Sequence, residues 1–341
     1  MVVKIALDVM GGDNSPHALI EGAIAAIEEK SDMRIYLVGD EKEIKKVLEN
    51  RNYPLDNLEI IHTEEVIHDD DQPTKAIRKK SEASLPLSMK YVKENKVDAV
   101  VSAGNTGAFM AGGLMILGRL QGISRPALAP IIPSFNGNST VILDVGANMD
   151  AKSRNLADFA MMGSLYAEKV LGREEPSVGL INVGEEAGKG NKLLKETYEI
   201  LEKSHLNFKG NLESRDLLDC PYDIVVCDGF LGNILLKFAE GMGSSILMKM
   251  KEEFTSGLRN KMGAYLLQPA FKNLKKELDY TEYGGAPFLG VNGLCIKCHG
   301  SSNSKAVKNA LVMQAYPFIK ENVISLFLEE IEKGWSFQNA E

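Results

Sequence analysis

Five short glycine-rich segments hold the side chains best suited to chemistry. Asp8 leads into Met10-Gly11-Gly12-Asp13-Asn14, Ser102 into Ala103-Gly104-Asn105-Thr106-Gly107, and Asp144 into Val145-Gly146-Ala147-Asn148. Val183 leads into Gly184-Glu185-Glu186-Ala187-Gly188-Lys189-Gly190, and Asp228 into Gly229-Phe230-Leu231-Gly232-Asn233. Glycine lets a backbone approach a ligand, while Asn and Asp supply hydrogen bonds. Amides that open a following helix suit a phosphate. One Gly-Asn turn is ordinary; five point to a polar, anion-friendly crevice. Lys189, with a glycine on each side, is the point cation suited to that anion. The segment is not a Walker loop, because three residues separate Gly184 from Gly188 and Gly190 follows the lysine.

Other motifs reduce to simpler readings. Cys295-Ile296-Lys297-Cys298-His299 matches the haem-attachment pattern, but no export signal accompanies it. A zinc site with Cys220 and Cys227 lacks two clean pairs. His62, His68 and Asp69-Asp70-Asp71 read as a solvated acidic turn before Pro73, so no metal site is expected. The Ser302-Asn303-Ser304-Lys305 match to S-x-x-K is too short to carry weight. His299, followed by Gly300-Ser301-Ser302, is placed where a catalytic imidazole could sit.

The elements that must hold these segments alternate between short β-branched runs and helical patterns. Strands are expected at 3–9, 34–38, 58–62, 97–102, 128–132, 140–145, 177–183, 223–227 and 293–297. Continuous apolar runs such as Ala99-Val100-Val101 fit strands covered on both faces. Ser15-Pro16 reads as a cap with proline at the first helical position, followed by Ile20, Ala23, Ile24 and Ile27 at helical spacing. The expected fold is a three-layer α/β/α sandwich with a largely parallel, Rossmann-like sheet, spanning residues 1–341 as a single domain. In such sheets the carboxyl ends of the strands line the ligand crevice, and there the five segments fall. A separate amphipathic helical hairpin is expected at about 244–278. In it Leu247, Met250, Phe254, Leu258, Met262 and Tyr265 interleave with Lys249, Lys251, Arg259 and Lys261. Its apolar tip is Ala264-Tyr265-Leu266-Leu267, and Phe271, Leu274 and Leu278 return with Lys272, Lys275 and Lys276. It reads either as a pair packed on the core or a second subunit, or as a basic hairpin touching anionic lipid.

Composition bounds the rest. The chain has 341 residues, 44% hydrophobic and 25% charged, with 39 Lys+Arg against 47 Asp+Glu and a net charge of −8. That describes a globular protein with a large core and argues against nucleic acid as a partner. The start lacks a basic signal-peptide region, no apolar run approaches about 18 residues, and four cysteines make no disulfide framework. A cytoplasmic location is expected, with peripheral membrane association through the hairpin.

Taken in order, these motifs resemble the PlsX family, the soluble acyl-acyl-carrier-protein:phosphate acyltransferases of bacterial phospholipid synthesis. The resemblance runs from Asp8-Val9-Met10-Gly11-Gly12-Asp13 through Ala76-Ile77-Arg78-Lys79-Lys80 and Arg125-Pro126-Ala127. It continues through the segments at Ser102, Asp144, Asn182-Val183 and Asp228 to Tyr283-Gly284-Gly285-Ala286 and His299-Gly300-Ser301-Ser302. Val9 stands where alanine is usual, and Ala83 replaces one of a serine pair.

The resemblance implies acyl transfer from a carrier-protein thioester to inorganic phosphate, with no cofactor. It further implies that the acyl phosphate passes to a membrane glycerol-3-phosphate acyltransferase and that the enzyme is a homodimer. On this reading Lys189 holds phosphate charge and Asn105, Asn148 and Asn233 donate to phosphate or oxyanion. His299 serves the leaving thiolate, and Asp8, Asp13, Asp144 and Asp228 position the donors. Gly11, Gly12, Asn14, Gly104, Thr106, Glu185 and Gly190 complete the binding loops. Carrier or membrane contact falls to Arg78, Lys79, Lys80, Lys249, Arg259, Lys261, Leu266 and Leu267. The alternatives are a phosphotransacetylase-like enzyme using acyl-CoA, a nicotinamide-dependent dehydrogenase and a non-catalytic lipid-surface scaffold.

Overall fold

The computed structural model describes residues 1–49, 51, 55–134, 137–219, 221–271 and 280–335. The chain opens as β1 (Val3–Asp8), α1 (His17–Glu29), β2 (Met33–Gly39), α2 (Glu41–Leu48) and β3 (Leu58–His62). Then come α3 (Pro73–Lys79), α4 (Ser84–Lys93), β4 (Ala99–Ser102) and α5 (Thr106–Gly112). Two short strands, β5 (Ala127–Leu128) and β6 (Ile131–Pro133), precede β7 (Ser139–Leu143), α6 (Ser153–Lys169), β8 (Ser177–Asn182) and α7 (Lys192–Glu202). Next are β9 (Asn207–Glu213), β10 (Ile224–Val226), α8 (Gly229–Thr255) and α9 (Leu258–Leu266). The chain closes with β11 (Gly285–Leu289), β12 (Leu294–Cys298), α10 (Ser304–Asn309), α11 (Tyr316–Lys320) and α12 (Val323–Glu330).

The strands form two sheets. The first has order β3-β2-β1-β4-β12-β11-β5 and the second β6-β7-β10-β8-β9. Pairing is parallel except around β11 and between β6 and β7. Alternation along β1 explains the layering. Ile5 and Leu7 pack with Ile20, Ile24 and Ile27 of α1, while Ala6 joins Leu85, Met89 and Val92 of α4 on the other face. The second sheet follows the same plan. Leu143, Val178 and Val226 meet α6 through Phe159 and Met161, and Ile142, Ile181 and Val225 meet Leu231 and Leu235 of α8. One apolar cluster runs from Val3 and Ile5 through to Val178 and Ile224, so both sheets share it.

Two expectations are corrected and two unexpected strands are added. Residues 128–132 are not one strand: the chain bends at Ala129-Pro130, leaving β5 in the first sheet and β6 in the second. Proline cannot donate to a ladder, which accounts for the break. Ser15 does not cap α1. The turn already begins upstream, with Ala18 N donating to Asn14 O, and the Ser15 hydroxyl donates back to Gly12 O at 2.8 Å. β9 and β11 escape sequence reading because one is polar and the other contains Gly285 and Pro287.

The hairpin protrudes. α8 continues into α9 after a break at Gly257, every α9 residue but Ala264 is exposed, and Phe271 packs its ring 4.7 Å from that of Phe254. Lys272, Leu274, Lys275, Lys276, Leu278 and Cys220 lie outside the described residues.

Candidate active site

The structure gathers the predicted residues into two groups, one at the strand ends of each sheet. In the first, Asp8 closes β1, and its Oδ2 accepts a hydrogen bond from Ser102 Oγ at 2.7 Å. Ser102 Oγ in turn accepts from Gly104 N at 3.1 Å. Burial pushes the Asp8 carboxyl up, against hydrogen bonds from Ser84 and Ser102 and the field of Lys297. Gly11 lies so close to Gly104 that a Cβ there would stand 2.6 Å from the Gly104 nitrogen. No larger residue fits that contact.

The third strand end of this group is that of β12. Asp13 N donates to Gly300 O at 2.8 Å, and Asn14 Nδ2 donates to Ser301 O at 3.1 Å. Ser301 N donates to His299 Nδ1 at 3.1 Å. A backbone N–H can only donate, so Nδ1 is the acceptor and the neutral ring carries its proton on Nε2. Asn105 caps α5, its Oδ1 accepting from Ala108 N, and its amide donates to Asp69 O at 3.0 Å. Thr106 opens the same helix.

In the second group Asp144 is fully buried. Its Oδ1 accepts from Leu128 N, and its Oδ2 accepts from both the backbone N and the side-chain Nδ2 of Asn148. Burial raises this carboxyl as well. The Asn148 amide also donates to Pro126 O at 2.7 Å, so both its hydrogens serve protein acceptors. Asn148 is thus a pin for the loop, where the sequence had it as a donor to substrate. Asp228 caps α8 through Leu231 N. A Cβ on Gly232 would sit 2.0 Å from Asp144 O, so only glycine lets α8 enter this close. One residue on, Asn233 lies beside Gly146.

Lys189 stands on the loop after β8, half exposed, with its Nζ 3.7 Å from Glu186 Oε1. Asn182 fixes the loop by donating to Lys189 O, and Asn211 by donating to Glu186 O at 2.8 Å. Ala147 of the second group packs against the apolar cluster holding Phe109, Leu128 and Phe288. Two cavities are lined by other residues, one of about 380 Å³ beside Arg173 and Asp223 and another of about 550 Å³ beside Arg119 and Arg154.

Among the predicted contact residues, Arg78 and Lys79 are exposed. Lys80 is committed to the protein, donating to Val66 O and pairing with Asp71 at 2.5 Å. That same Asp71 accepts from His68 N, closing the acidic turn. Lys249 pairs with Glu252 and Glu253 on its own helix. Sequence reasoning missed Ser84 and Lys297. The lysine is 7% exposed, and its signal was a lone cation in an otherwise apolar strand.

The sequence model of the family described as Fatty acid synthesis protein matches residues 3–326. Phosphate acyltransferases of Brevibacillus brevis and Alkaliphilus oremlandii are 50% and 48% identical to the chain over 332 and 334 residues. The first alignment covers 97% of this chain and 98% of that protein, and the second 98% of both. The chain belongs to the PlsX family of phosphate acyltransferases. Among solved structures, a phosphotransacetylase from Streptococcus pyogenes is similar with a TM-score of 0.60 at 17% identity, covering 93% of this chain and 94% of that one. EutD phosphotransacetylase from Staphylococcus aureus gives 0.57 at 15% identity, covering 92% and 94%. At such identities the likeness is one of fold. The chain thus places its Gly, Asn and Asp loops on an α/β framework similar in fold to these phosphotransacetylases.

Proposed function

We propose that this chain transfers a fatty acyl group from acyl-acyl-carrier protein to inorganic phosphate, giving acyl phosphate and free carrier thiol. The observation that carries the reading is the near-full-length relation, at about half identity, to phosphate acyltransferases. Side-chain chemistry supports it. Cys227, Cys295 and Cys298 are buried, and burial pushes the Cys298 thiol up to about 12. Such thiols are poor nucleophiles. Phosphate needs no activation: its oxygen attacks the thioester carbonyl, forming the C–O bond, and collapse of the adduct breaks C–S. The site must hold a dianion, stabilise the oxyanion and protonate the leaving thiolate. Lys189 supplies charge, Asn233 and the loop amides supply donors, and His299 Nε2–H suits the last task.

The acyl phosphate would feed a membrane glycerol-3-phosphate acyltransferase. Arg78, Lys79, Arg259 and Lys261 offer exposed cations for an acidic carrier, the Leu266-Leu267 tip suits an anionic membrane, and the apolar α8 face suits a second copy. The test presents acyl-carrier protein and acyl-CoA in parallel with phosphate, following thiol release and trapping acyl phosphate with hydroxylamine. Acyl-carrier protein is expected to react at least about tenfold faster. A preference for acyl-CoA establishes the phosphotransacetylase-like alternative, and reaction with neither removes the proposal.

A further inference from the structure

Strand β12 is apolar along its length except for Lys297. Leu294, Cys295, Ile296 and Cys298 are all buried, so packing alone would be served by a leucine or methionine. Lysine is almost never buried unless it is partnered, because desolvating an ammonium is costly. Here it has partners at a particular place. Lys297 stands opposite Ser102 in the β12–β4 register, and its Nζ donates to Ala103 O at 3.2 Å and to Cys298 O. These carbonyls open the two loops that carry Asn105 and His299. Asp8 and Asp69 contribute the opposing charge, and Asp8 holds Ser102.

We propose that Lys297 is a positioning residue whose buried ammonium ties the loop after β4 to the loop after β12 and so fixes the floor of the first group. The Ala103–Gly104 and Cys298–His299 peptides are planar and trans, so holding the Ala103 and Cys298 carbonyls inward also sets the directions of the Gly104 and His299 N–H groups. The ammonium also offsets the buried Asp8 carboxyl, which would otherwise repel an incoming phosphate. The role rests on the proposed reading of these loops as the phosphate site.

The experiment compares full-length Lys297→Met and Lys297→Arg with Lys189→Ala, measuring acyl transfer at varied phosphate and amide hydrogen exchange in the two loops. Lys297→Met is expected to raise the phosphate KM and lower kcat, together costing about 10²-fold. Exchange at residues 103–105 and 298–301 should accelerate while α1 and β2 keep wild-type rates. Lys297→Arg, which keeps the charge, should recover part of both losses. Unchanged kinetics with unchanged loop exchange overturns the proposal. If Lys189→Ala alone abolishes transfer, the reading of the site stands while the role of Lys297 falls. If wild type itself transfers nothing to phosphate, the functional reading fails and loop exchange alone decides the role of Lys297. Should Lys297→Met not fold, Asp8→Asn/Lys297→Met removes both buried charges together; wild-type activity and loop exchange in that variant would also overturn the proposal.

Discussion

Among the described residues, three buried carboxylates hold loops together. Asp8 joins Ser102 to the first group, Asp144 gathers Leu128 and Asn148 in the second, and Asp158 on α6 receives Ser124 Oγ and Trp335 Nε1. Burial raises all three carboxyls. Asp158 is the clearest test, because it lies apart from the proposed chemistry. With a raised value, the native state holds this proton more tightly than the unfolded chain does. Its contribution to stability is complete below the ordinary carboxylate pKa and is lost as pH rises through the native value. Asp158→Asn avoids that loss while keeping an acceptor for Trp335. Thermal melts should show it more stable than wild type by about 1 kcal/mol at pH 7, the gap narrowing towards pH 4. A variant that melts lower at both pH values would mean that the charge strengthens these bonds more than burial penalises it.

At the scale of elements, α8 has two jobs. On one side of its first turn, Gly229 and Gly232 let it meet Asp144 and Asn148. Starting in that same turn, Phe230, Ile234, Phe238, Met242 and Ile246 form an exposed stripe at spacings of four. Residues so spaced share one helix face, and an exposed apolar stripe of this size calls for a cover. A second copy is the proposed cover for the stripe, and membrane for the tip, where Leu266 is 78% exposed. Leu266→Glu/Leu267→Glu places two charges where lipid contact is proposed. Flotation with anionic liposomes should fall several-fold, with acyl transfer in solution retained. Undiminished flotation would move the contact elsewhere.

For the molecule as a whole, the sum of −8 hides local cations. Arg78 and Lys79 lie on a short helix whose start touches the α5 loop, since Pro73 packs beside Gly107. This is the surface proposed to receive an acidic carrier. Raising salt from about 0.1 M to about 1 M shortens the Debye length from about 10 Å to about 3 Å, so carrier affinity should weaken several-fold. Titration calorimetry or fluorescence anisotropy at the two salt levels checks this, and equal affinities would remove the basic patch from the account.

Amino-acid order alone was sufficient for the strand–loop–helix rhythm and for the five polar loops, because glycine, asparagine and capping preferences act within a few residues. Asp228 and Asn105 fall in two of those loops and cap the helices that follow. Distance in sequence hid the rest. β12 lies beside β4 nearly two hundred residues earlier, and that pairing, with β11 on the other side, buries Lys297. A lone lysine reads as solvated until a neighbouring strand covers it. Asn148 likewise reads as a free donor until Pro126 and Asp144 occupy its amide. Local preferences settled most of the strands and the polar loops, though not β9, β11 or the break between β5 and β6. Tertiary packing decided which polar groups face each other, because burial and hydrogen-bond partners are set by chains that meet only after folding.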